Sequence, residues 1–184
     1  MARLVYSAIM SLDGYIADEN GEFGWAMPSD EVHGFINDRM RSIGTHLYGR
    51  VLYETMTGWE TDPSLAEQPL GRDFAEQWQA ADKIVYSTTL DKPVTAKTRI
   101  EREFDPVVVQ GLKDTAEADL LIGGPVLAAH AFAAGLVDVC ELYVVPVIVG
   151  GGHLGLPEGL FLNLELLEER RFANGFVLLR YKVG

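Results

Sequence analysis

Four short strand-like segments, at residues 4–10, 45–48, 83–87 and 120–122, are each followed, directly or after a loop, by a segment with helical spacing. This alternation narrows the fold more than any other feature. Parallel strands need a crossover of a dozen or more residues, usually a helix, so strands alternating with helices predict a mostly parallel sheet covered on both faces. The chain ends differently. Strand patterns at 166–172 and 176–182 flank Asn174-Gly175, a strong hairpin signal, which adds an antiparallel edge to the sheet. The expected class is therefore a three-layer α/β/α fold.

The helices carry their own start signals. Ser29 before Asp30 and Glu31 supplies a capping oxygen and an acidic first turn, and Val32, Phe35, Ile36, Met40 and Ile43 recur on one face. Residues 50–57, 74–81 and 107–115 read as further helices, with Phe74 and Trp78 four apart, and Pro125 suits the first position of another. Residues 141–149 read as one long strand, and 59–73 as a loop containing proline.

With 184 residues the chain matches one ordinary domain, 1–184, and can bury roughly 70% of its unfolded surface. A net charge of -12 sets nucleic acid aside as a partner, because phosphates meet a repulsive average field. A small anion is different: a few local cations and backbone N–H groups outweigh distant charge beyond roughly a Debye length. The one cysteine, Cys140, lies in the apolar run 137–149 and reads as a buried hydrophobe in a reducing compartment. No stretch approaches 18 uncharged apolar residues, so the expectation is a cytoplasmic chain with no membrane span.

Several strand ends carry groups suited to a phosphate. Gly123-Gly124-Pro125 joins a strand to a helix whose free N–H groups favour an anion, although a tight turn without ligand explains it equally. Tyr48-Gly49-Arg50 places a cation after a second strand, and Ser87-Thr88-Thr89 places hydroxyls after a third. Ligands of open α/β sheets bind at this carboxyl edge. By contrast, the segment from Gly150 to Gly155 satisfies G-x-G-x-x-G, but Leu156-Pro157 follows and cannot open the required helix. Asp13 and Asp30 are the acidic candidates for chemistry, each also explained by a turn or a helix start. His33, His46, His130 and His153 lack metal-ligand spacing, so no metal is expected.

Taken together these segments resemble the dihydrofolate reductase-like superfamily, and most closely the reductase domain of riboflavin-biosynthesis deaminase-reductases. Residues 11–17 are similar to the S-x-D-G-x-x-A motif of that branch, and residues 25–30 to the W-x-x-P-x-D of dihydrofolate reductases. Gly49-Arg50 with Tyr53-Glu54, Ser87-Thr88, Leu121-Ile122-Gly123-Gly124, and residues 144–152 resemble the remaining signatures. The resemblance implies NADPH as cofactor and hydride transfer to a small heterocycle or a ribosylamino-pyrimidine, as in a 5-amino-6-(5-phosphoribosylamino)uracil reductase. It implies Asp30 as the catalytic carboxylate, Asp13 in support, and Trp25 in a mobile loop. The implied cofactor contacts are Ala8, Ile16, Ala17, Gly49, Arg50, Ser87, Thr88, Gly123, Gly124, Pro125, Val126 and Leu127; Tyr53 and Met56 are the implied substrate contacts. A homodimer is also implied. Two positions depart from the pattern: Leu52 stands where threonine is usual, and Ala81, after an extra segment at 59–81, stands where dihydrofolate reductases hold the folate carboxylate with arginine. A non-catalytic nucleotide-binding protein of this fold, or a genuine dihydrofolate reductase, are the alternatives.

Overall fold

The computed structural model describes residues 1–184. Its centre is β1 (Leu4–Ser11), in which Leu4, Tyr6 and Met10 join one core cluster while Ile9 packs on the opposite one. A strand with apolar side chains on both faces needs cover on both, which places it inside a three-layer arrangement. Eight strands form the main sheet in the order β5-β4-β3-β6-β1-β7-β10-β9. Those strands are β3 (Ile43–Gly49), β4 (Asp82–Tyr86), β5 (Thr98–Glu101), β6 (Asp119–Gly123), β7 (Val139–Val145), β9 (Leu164–Arg171) and β10 (Val177–Val183). Every pairing from β5 to β7 is parallel, whereas β10 is antiparallel to both β7 and β9. The mostly parallel sheet with a C-terminal antiparallel hairpin is as expected, and Gly175 (φ +89°) turns the hairpin.

Helices α5 (Pro106–Thr115) and α6 (Pro125–Ala133) cover one face through Val109, Leu127, Ala128, Ala131 and Phe132. On the other face lie α1 (Asp30–Met40), α2 (Arg50–Met56), α3 (Gly58–Thr61) and α4 (Pro69–Ala80). Trp78 of α4 is fully buried beside Tyr48, Tyr53, Phe74 and Val85, and a ring of this size contributes on the order of 3–5 kcal/mol against truncation to alanine. No helix is long and apolar enough to cross a membrane.

Four details differ from the sequence expectations. Ile43 does not continue the face of α1: the helix ends at Met40 and Ile43 opens β3. The strand expected at 141–149 stops at Val145, because Pro146 has no N–H for the ladder and the Val147 N–H folds back to the Val145 carbonyl. Residues 59–81 are helical for most of their length, since Asp62 caps a 3₁₀ turn at Pro63–Ala66 and Pro69 starts α4 well before Phe74. The edge strand β5 reads Thr-Arg-Ile-Glu, too polar for an apolar pattern to reveal it.

Candidate active site at the carboxyl edge of the sheet

Parallel register brings the polar strand ends together. With β3 between β4 and β6, Gly49 aligns with Tyr86 and Tyr48 with Gly123, so Gly49-Arg50, Ser87-Thr88 and Gly123-Gly124 share one edge. Gly124 has φ +86° and caps α6 with no side-chain bond, and the first turn of that helix contains no acidic residue. The N–H groups of Val126 and Leu127 are thus left for an anion. Only the backbone of Leu127 can serve, since its side chain is in the core. A Cβ on Gly123 would lie 2.5 Å from Leu52 Cδ2, whereas one on Gly124 would meet only that same atom, at 4.0 Å. At 124 the backbone favours glycine, whereas at 123 an added Cβ would require only the Leu52 side chain to turn aside. Leu52 covers one side of this cradle with an apolar side chain.

Along the same edge, two guanidinium groups flank the loop after β4. Arg50 Nη1 donates to Thr89 Oγ1 (2.8 Å) and Nε to Glu54 Oε1 (2.8 Å). Arg102, just past β5, donates through Nη1 to the carbonyls of Ser87 (2.9 Å) and Leu90 (2.8 Å). The Ser87 hydroxyl accepts from the N–H groups of Thr89 and Leu90, and Thr88 is exposed beside it. The Arg50–Glu54 pair is half exposed and contributes only about 0.3–0.5 kcal/mol, little to lose if Arg50 turns to a phosphate.

Across the edge stands the start of α1. Ser29 Oγ accepts from the Val32 N–H, leaving the exposed Asp30 carboxylate out of the cap bond. Trp25, in a 3₁₀ turn at Gly24–Ala26, packs against the α1-side core, and its enclosed indole N–H has no partner. Asp13 is engaged at both oxygens: Oδ1 accepts from Ser11 Oγ (2.6 Å) and the Val149 N–H (3.1 Å), and Oδ2 from the Gly150 N–H (2.7 Å). These donors, the Ser11 hydroxyl foremost, hold its pKa down at about 2. Asp13 thereby ties the loop after β1 to the glycine segment after β7.

That glycine segment opens no helix. Its β8 (His153–Leu154) pairs with β2 (Tyr15–Ala17), the Gly155 N–H donates to the Gly14 carbonyl (2.8 Å), and the Tyr6 hydroxyl donates to the Gly155 carbonyl. Ile16, half-buried, packs against Gly155, and Ala17 is buried over Gly152. Ala8 and Met56 are half-buried.

Residues 2–178 match the family model described as the RibD C-terminal domain. The chain belongs to that family. Among its relatives is the uncharacterized protein YyaP of Bacillus subtilis, 26% identical over 181 residues, 97% of this chain and 94% of that one. A Shewanella sp. PV-4 protein assigned to riboflavin biosynthesis superposes over 100% of this chain and 99% of its own, with TM-score 0.77 and 20% identity. The Thermotoga maritima diaminohydroxyphosphoribosylaminopyrimidine deaminase/5-amino-6-(5-phosphoribosylamino)uracil reductase has TM-score 0.68 and 15% identity, and this chain spans 57% of its length. Acinetobacter baumannii RibD has TM-score 0.72 and 18% identity over 58% of its length. At such identities the likeness establishes a common fold, that of the dihydrofolate reductase-like superfamily.

Within this RibD-type domain the sequence-derived candidates divide. Arg50, Ser87, Thr88, Gly49, Gly123, Gly124, Pro125 and Val126 lie along one edge of the sheet. Tyr53 is a correction: it is 1% exposed, and its hydroxyl bonds Thr95 Oγ1 (2.9 Å) and the N–H groups of Val94 and Thr95. It braces Leu52 and Met56 from behind and offers a substrate no free hydroxyl. Arg102, at the same edge, follows a strand with no apolar pattern, so no sequence signal marks it.

Proposed function

We propose that this chain is an NADPH-dependent reductase that transfers hydride to a small heterocycle or ribosylamino-pyrimidine. The observation that carries this reading is the single edge on which the open Gly124 cradle, the start of α6 and the Arg50–Ser87–Thr88–Arg102 cluster follow one another. A dinucleotide with a phosphorylated ribose needs this sequence of groups: backbone N–H donors for the pyrophosphate, then cations and hydroxyls for a further phosphate. The residues present fit that cofactor.

NADPH bound along this edge would supply the hydride, and the protein contributes position, exclusion of water and a proton. Gly123 and Gly124 let the backbone approach the pyrophosphate. Arg50, with its fork turned from Glu54, and Arg102 neutralise the ribose phosphate. Asp30, free of the cap bond, is the group that holds a proton beside the acceptor, and the Trp25 ring shields that end. RibD-type family membership supports the reductase reading, and a cytoplasmic setting suits a chain whose single cysteine is buried.

Leu52 favours a second reading, a nucleotide-binding protein without turnover, because it puts an alkyl group where a pyrophosphate would gain a hydroxyl. Cofactor binding and turnover separate the two. NADPH should bind at least tenfold more tightly than NADH, since a charge-assisted contact contributes roughly 1.5–3 kcal/mol, and Arg50→Ala should erase most of that preference. NADPH oxidation should then be seen with members of a panel of pterins and aminopyrimidine ribosides. Binding without turnover across that panel would favour the second reading, and equal binding of the two cofactors would displace the phosphate from Arg50.

A further inference from the structure

His33 lies three residues after Asp30 on α1, so the two side chains are neighbours on one helix face with Cβ atoms about 5–6 Å apart. The imidazole is half-buried, and its ring is fixed by Trp59 of α3 and Phe74 of α4, whose edges meet it with centroids at 6.2 and 5.9 Å. The charged groups around it are few. Asp73 of α4 faces it but is already bonded by Asn37 Nδ2 (2.9 Å) and Arg41 Nη2 (3.0 Å). Glu60 of α3 is turned to the Ala96 N–H (2.8 Å). Asp30 is the carboxylate that is not tied down.

On the reductase reading above, we propose that His33 is a positioning residue that supplies protons to Asp30, the two forming a relay at the mouth of the site. In one turnover the acceptor carbon of a C=N bond takes the hydride, the π pair passes to nitrogen, and nitrogen takes a proton from the Asp30 carboxyl. NADPH, acceptor and one proton give NADP⁺ and the reduced ring. The Asp30 carboxylate then recovers its proton from His33, whose partly exposed ring is recharged from solvent. The electrostatics agree: burial lowers the His33 pKa below its ordinary 6.5, while Asp30 and then Asp73 push it back up. Such a group changes charge below the ordinary imidazole value.

Two measurements test the relay. In the free protein, the His33 Cε1 proton followed by NMR should titrate at a lower pH in Asp30→Asn than in wild type, because the charge that raises its pKa is gone. In steady-state NADPH oxidation, where every turnover must draw a fresh proton through His33, the wild-type rate should rise as pH falls through the His33 pKa. His33→Phe keeps an edge-to-face ring against Trp59 and Phe74 and cannot titrate, so its profile should lose this limb: roughly tenfold slower below the His33 midpoint that NMR gives and within about twofold of wild type at pH 8. Damage to packing would instead lower the rate at both pH values. An unmoved titration in Asp30→Asn, or a limb that survives His33→Phe, overturns the relay alone. Absence of turnover by the wild type with every acceptor overturns the reductase reading and the relay with it.

Discussion

Asp13 shows how a residue's type can be read from sequence while its work cannot. Its place in S-x-D-G-x-x-A singled it out, yet the carboxylate faces the Ser11 hydroxyl and two amides from a segment more than 130 residues away. Only the fold brings Val149 and Gly150 there. A pKa held at about 2, below the ordinary 3.8, means that the clamp is complete above the unfolded value and is lost as pH falls from about 4 through 2. Asp13→Asn has one acceptor oxygen where the carboxylate has two, so the Val149 and Gly150 amides should exchange with solvent faster than in wild type, while amides of β3 keep their protection. Hydrogen exchange read residue by residue checks this; unchanged exchange at both amides would show that the clamp does not hold the segment. Tyr53 gives the converse lesson. Its position in a helix was legible, but the 94–95 segment that occupies its hydroxyl is distant in sequence and has no pattern of its own.

Among the elements, β1, β4 and β6 were legible because central strands are buried on both faces and read as apolar runs, while β3 shows only the short pattern around Leu47 and Tyr48. β5 at the edge and the three-residue β2 were not, and the helical nature of residues 59–73 was hidden by its prolines, which mark helix starts. The glycine segment was recognised as a false fingerprint from Pro157, but its real task lies in close approach. Gly152 has φ +129°, and a Cβ there would stand 2.2 Å from the Ala17 carbonyl oxygen and 2.7 Å from Asp18 Cα, backbone atoms that cannot swing aside. Gly152→Ala should therefore destabilise the chain by roughly 2 kcal/mol or more through strain and overpacking, with the β2–β8 ladder opening first. Urea denaturation reads the loss; a midpoint equal to wild type would mean that the loop relaxes freely.

At the scale of the molecule, a chain with net charge -12 repels its own copies, so self-association needs a surface that offsets this repulsion. The outer strand β9 has such a surface. It is an open edge, and edge strands of monomeric proteins are ordinarily guarded by lysine, proline or a covering helix. Here Leu164, Leu166 and Leu167 are 45%, 50% and 46% exposed, and Phe161 just before them is 89% exposed. The strand carries Glu165, Glu168 and Glu169 and ends in Arg170 and Arg171, so antiparallel pairing with a second copy about a two-fold axis between Leu167 and Glu168 sets Glu165 opposite Arg170 at both ends. We propose a homodimer built on this edge. The chain, 20.3 kDa, should sediment as a dimer at micromolar concentration, and Leu166→Glu should shift it toward monomer, because it removes an exposed apolar contact and adds like charge across the axis. Leu166 touches none of the strand ends that line the carboxyl edge, so NADPH affinity in the variant should stay within about twofold of wild type unless the dimer itself shapes the site. Sedimentation showing only monomer for the wild type removes the dimer; a Leu166→Glu variant that remains dimeric moves the interface away from β9.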